Sequence, residues 1–107
     1  MDQQEGLATK TPPLFIGDNY AYWSVRMKCH LMSLGYKFWR SVEREYKVPD
    51  DVPIDKGELS LYEANAKALN EILSGLIESV LVKVMQCKTS KHAWEKLKCI
   101  YQGTSKL

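Results

Sequence analysis

The chain has 107 residues, 45% of them hydrophobic and 26% charged, with 15 Lys and Arg against 13 Asp and Glu for a formal net charge of +2. That composition excludes wholesale disorder, and the length suits one domain that buries a core without metal or disulfide staples. The longest apolar stretch, Leu76–Met85, is broken by Glu78 and Lys83 and falls far short of the ~20 residues a bilayer span takes. Cys29, Cys87 and Cys99 are odd in number, form no C-x-x-C pair and follow no secretory h-region, so free thiols in a reducing, cytoplasmic setting are expected.

The small net charge hides segregation. Residues 1–19 sum to −2, 20–47 to +4, 48–82 to −5 and 83–107 to +5. Two basic blocks around an acidic one fit a phosphate-facing surface or complementary contacts between copies; the plainer reading is charges that pair internally or stay solvated.

In chain order, residues 1–11 are polar and without period, a flexible lead-in, and 12–107 form the single helical domain. Pro12 and Pro13 fix an extended approach. Leu14, Phe15 and Ile16 then make an apolar strip too short to stand alone, which is expected to pack across the helices that follow. Asp18 or Asn19 suits an N-cap. From there Tyr20, Trp23, Met27, Leu31 and Leu34 recur three and four apart, predicting a helix over 19–34 that ends at Gly35 in the left-handed C′ position. Arg26, Lys28 and His30 fall elsewhere on the wheel, His30 as a solvated residue.

A short helix over 36–44 turns Phe38, Trp39 and Val42 inward, and 45–57, with Pro49 and Pro53, reads as a loop. Helix resumes near Glu58 and runs to about Ser74, with Tyr62, Ala66, Leu69, Ile72, Leu73 and then Leu76 inward. Glu63, Lys67 and Glu71 stand four apart on the other face. In 77–85, Val80, Val82 and Val84 alternate as in a strand, while Leu81, Val84 and Met85 fit a helical stripe. A lone strand would have no partner, so helix is the reading. Thr89 or Ser90 caps a last helix that buries Ala93, Trp94, Leu97, Ile100 and Tyr101, turns Lys91, Glu95 and Lys98 outward and stops at Gly103. The fold class is therefore all-α, a bundle of about five short helices.

Catalytic and cofactor patterns are missing from this reading. Neither His30 nor His92 lies in a nucleophile elbow. Cys87, His92 and Cys99 match no zinc spacing, and Asp50, Asp51 and Asp55 lack the glycine and closing glutamate of a calcium loop. No glycine-rich phosphate loop occurs. No enzyme, cofactor, metal or small-molecule substrate is expected. The aromatics Tyr20, Tyr22, Trp23, Phe38, Trp39, Trp94 and Tyr101 are either stacking platforms for bases or core. Core is the simpler assignment for Trp23 and Trp94; Tyr22 and Trp39 lie near stripe edges and stay open.

The run Pro13-Leu14-Phe15-Ile16-Gly17-Asp18-Asn19-Tyr20-Ala21-Tyr22-Trp23, continued by Arg26-Met27 and Leu31-x-x-Leu34-Gly35, closely resembles the start of plant Copia-type LTR-retrotransposon Gag proteins. Two later segments match in order, Tyr62–Leu76 and Cys87–Leu97, closing with Tyr101-x-Gly103-Thr104. The resemblance covers residues 12–107. It implies a capsid-like N-terminal lobe that self-associates into particles around RNA. It makes Phe15, Tyr20, Trp23, Met27, Leu31, Leu34, Leu69, Leu73, Leu76, Trp94, Leu97 and Tyr101 the fold-defining set. His92 stands where the family often carries an acid, which weakens a capping box. Family members continue into further helices and frequently a zinc knuckle, so the chain is expected to be a fragment, a truncated domesticated copy or a borrowed domain.

Three functions follow. The leading one is a non-enzymatic assembly module that associates with itself or with related Gag proteins. An alternative is RNA binding, weak without the knuckle, by Arg26, Lys28, Lys37, Arg40, Arg44, Lys88, Lys91, Lys96 and Lys98. The other is a domesticated adaptor that binds a protein partner.

Overall fold

In an extended chain neighbouring side chains point to opposite sides. After Pro12 and Pro13, Phe15 is accordingly buried while Leu14 and Ile16 face out. In the computed structural model, which describes residues 11–102, this strip lies beside the residues that follow the longest helix. The Phe15 amide donates to the Gly75 carbonyl at 2.6 Å, and the Ile77 amide donates to the Phe15 carbonyl at 3.1 Å, an isolated parallel bridge between Phe15 and Leu76.

The helices are α1 (Tyr20–Leu34), α2 (Tyr36–Glu43), α3 (Lys56–Ser74), α4 (Glu78–Leu81) and α5 (Ser90–Leu97), which runs on into a π-helical turn, Lys98–Gln102. Among the described residues there is no strand beyond that bridge, so the architecture is all-α. Helices α2, α3 and α5 pack on one another, and α1 lies against α2 and α3. The shared core comprises Phe15, Trp23, Met27, Leu31, Trp39, Val42, Ala68, Ile72, Leu76, Val80, Val84, Cys87, Ala93 and Leu97. Tyr20, Leu69, Leu73, Trp94 and Tyr101 pack half-buried against it, and Leu34 is also half-buried.

A run of aromatic rings ties the elements together. Trp39 meets Trp94 edge-on at 5.3 Å, Trp94 stacks on Trp23 at 5.8 Å, and Trp23 lies 5.1 Å from Phe15. Phe15 in turn meets Tyr101 edge-on at 4.9 Å. Such pairs add about 0.5–1.5 kcal/mol each beyond the area they bury. One ladder thus links α2, α5, α1, the N-terminal strip and the π-helical turn.

Several expectations are corrected at the helix ends. Asn19 has φ 59° and ψ 54°, and its side chain makes no capping bond. A capping side chain needs extended backbone, whereas the left-handed geometry here swings the chain from the strip into α1. Gly35 has φ 149° and ψ 133°, outside the left-handed helical region, and a side chain there would also meet the Phe38 ring at 3.0 Å. Helix α3 begins earlier than Glu58, because the Asp55 carboxylate accepts from the Glu58 amide at 3.0 Å and places Lys56 and Gly57 in the first turn. Thr89 caps α5 by accepting from the His92 amide at 3.1 Å. Residues 1–10 of the expected lead-in over 1–11, and the stop at Gly103, lie outside the described residues.

Two interior assignments also change. On α3 the buried positions are Ala64, Asn65, Ala68 and Ile72, whereas Ala66 is exposed. Alanine is small on either face, so its spacing alone does not fix the direction of the stripe. In 77–85 only α4 is α-helical; turns follow through Gln86, and the buried residues are Val80 and Val84, with Val82 and Met85 outside.

Candidate interaction surfaces

His30, expected in solvent, is buried at the junction of α1 and α3, its Nε2 lying 2.7 Å from the Glu71 carboxylate. Glu71 also lies 3.6 Å from Lys67. Histidine occupies the edge of the α1 stripe, next to Leu31, and α3 supplies a carboxylate there to satisfy it. A second buried polar group, Asn65, accepts from the Ser90 amide at 2.8 Å and donates to the Lys88 carbonyl at 3.2 Å, fixing the start of α5. The Ser90 hydroxyl is 2.9 Å from that of Ser41. Among the described residues no buried side-chain nitrogen or oxygen lacks a partner. These polar groups are therefore occupied in holding helices together.

Nor do the cysteines and His92 converge. Cys87 is buried, Cys99 and His92 are exposed, and among the described residues no three His, Cys, Asp or Glu side chains form a ligand set. Burial raises the Cys87 thiol pKa, an effect that nearby Lys96 partly counters. No helix of the described residues is long and apolar enough to cross a membrane.

What remains is surface. Helix α1 is apolar on two sides. Opposite its buried stripe, Tyr22, Val25, Cys29 and Met32 recur at three- and four-residue steps. All four are exposed, Tyr22 by 58%, Val25 by 63% and Met32 by 41%. That spacing is the seam by which one helix lies along another. The signal was present in the sequence; the larger aromatics of the inner stripe mask it.

The basic residues are dispersed over several places. Arg26 donates to the Tyr22 hydroxyl at 3.0 Å and lies over its ring, Lys28 sits over Trp39, Lys37 over Phe38 and Arg40 over Tyr36. Lys91 pairs with Glu95 at 2.6 Å; their hydrogen bond raises the lysine pKa and lowers the carboxylate pKa. Lys91 and Lys98 share one hollow with Glu43 and Glu95, so its charge is mixed. Lys37, Arg40 and Arg44 do come together, with Glu45, along a groove of about 290 Å³ between α2 and α3 whose apolar lining includes Tyr46, Leu61 and Ala64. Arg26, Lys88 and Lys96 line neither hollow.

A helical core that also turns apolar side chains to solvent presents surfaces suited to contact with other molecules. Comparison with family models decides the kind of protein: residues 27–107, about three quarters of the chain, match the gag polypeptide of LTR copia-type. The chain belongs to the Copia-type Gag family. Its role is therefore structural and Gag-type. The matched region takes in α1 from Met27 onward and every later helix of this Gag chain, while the Pro13–Trp23 run stands ahead of it. Neither the curated proteins nor the solved structures yield a match.

Proposed function

We propose that this Gag chain is a self-association module, with the outer face of α1 laid against the same face of a second copy. The observation that carries the reading is the solvent-facing stripe Tyr22, Val25, Cys29 and Met32, on a helix whose other side already fills the core. A two-fold pair of this kind is isologous and needs no second surface. Arg26 and Lys28 flank the stripe, so added salt should favour the pair by screening like charges. A cytoplasmic setting suits the three free thiols.

RNA binding has less support. Lys91 is tied to Glu95, and the remaining bases point from several faces rather than tracking one backbone path.

Sedimentation velocity across concentration tests the proposal. Wild type should pass from monomer to dimer, and Val25→Glu with Met32→Glu should stay monomeric while keeping its helical circular dichroism. A strictly monomeric wild type would remove the reading.

A further inference from the structure

An isologous dimer stops at two, so extended assembly needs a second, head-to-tail contact. Resting on the self-association reading above, we infer that the segment 48–55 of one copy docks in the α2–α3 groove of another. The two surfaces complement each other. The groove has an apolar lining with Leu61 and Ala64 and a rim of Lys37, Arg40 and Arg44, three cations against the single carboxylate of Glu45. The segment reads Val-Pro-Asp-Asp-Val-Pro-Ile-Asp, with Asp50 and Asp51 exposed, Val52 largely exposed and Ile54 98% exposed.

Each half has a reason to wait for a partner. Pro49 and Pro53 stiffen the segment on either side of a bend at Asp50 and Asp51, so less chain entropy remains to be lost on docking. In its own molecule the segment lies beside the groove rather than in it. Pro49 and Pro53 are held in the adjoining hollow with Tyr46, Lys47, Glu58 and Leu61, and Asp55 is fixed as the cap of α3. Ile54 between these anchors faces water. A groove of about 290 Å³ has room for an aliphatic side chain or two, which Val52 and Ile54 supply, while Asp50 and Asp51 meet Arg40 and Arg44. Opposite charges across the contact steer it and set its direction. Unlike α1 pairing, it weakens as salt rises.

The test compares wild type with R40E/R44E, with D50K/D51K and with the fourfold swap that carries both pairs, by sedimentation velocity at low and high salt. All these positions are exposed, so circular dichroism should be unchanged. Wild type should form species larger than a dimer at low salt. Each double variant should stop at the dimer, its head-to-tail contact weakened by roughly tenfold or more. An equimolar mixture of the two should grow again because each variant's groove is then complementary to the other's segment, and the fourfold swap should grow by itself because its groove and segment are again of opposite charge. If wild type dimerises and goes no further, or if either double variant grows like wild type, or if the mixture and the swap both stay dimeric, this contact is overturned and α1 pairing stands. A wild type that is monomeric throughout removes both.

Discussion

The indole N–H of Trp23 donates to the carbonyl of Pro13 at 3.0 Å, so the first buried residue of α1 holds the chain that leads into it. Trp23→Phe keeps an aromatic ring in the ladder but leaves that carbonyl without its donor. We expect a loss of about 1–3 kcal/mol in urea denaturation. Trp39→Phe should cost less, since the Trp39 ring serves mainly through its edge-on contact with Trp94 and the cation of Lys28.

Gly75 is required for space. Its φ of −93° is open to any residue, yet a Cβ there would lie 2.5 Å from the Pro13 carbonyl oxygen and 2.8 Å from the Met27 methyl. The Met27 methyl can shift; the Pro13 backbone is held by the Phe15–Gly75 bond. Gly75→Ala should therefore destabilise by about 1–3 kcal/mol, as overpacked sites do, read as a lower urea midpoint with an unchanged slope.

Asn65→Ala removes the acceptor of the buried Ser90 amide and the donor to Lys88. An orphaned buried N–H costs about 1–3 kcal/mol. Amide hydrogen exchange should show the loss concentrated at the start of α5, where the bond is made. Uniform loss across the chain would count against this local account.

Alkaline pH offers a further measurement. Burial pushes the Tyr20 phenol from 10.0 up to about 12, so the fold favours its neutral form. That stability is complete below pH 10 and is lost as pH rises from 10 towards 12. Thermal unfolding should fall steeply across this window, and less steeply in Tyr20→Phe. Tyr46, raised by burial and then by Tyr62 and Glu58, accounts for part of the slope that remains.

The large stripes were legible from spacing. Tyr20, Trp23, Met27 and Leu31, or Trp94 and Leu97, have side chains big enough that only one face can take them, and the helices lie where that face requires. Small and polar residues carry no such signal. Ala64, Ala66 and Ala68 are alike in sequence, and only packing against α2 and α5 separates the buried pair from the exposed one. His30 reads as polar and hence outward, and Asn65 stands out in no pattern; their partners, Glu71 and Ser90, are far along the chain, where local pattern cannot reach. The candidate surfaces divide the same way. Arg40 and Arg44 were identifiable as basic, but their alignment with Leu61 along one groove depends on how α2 meets α3.

The bridge between Phe15 and Leu76 also sets an order of events during synthesis. A ribosome releases the proline-led strip early, but its pairing residues emerge only after all of α3. Until then Phe15 lacks its place beside Gly75, and the inner stripe of α1 has α2 but not α3 to pack against. Native closure must be late and non-local, which slows folding relative to helix formation itself. Through that interval the nascent molecule exposes part of the stripe meant for the core as well as the outer apolar side of α1, when a holding chaperone would matter most.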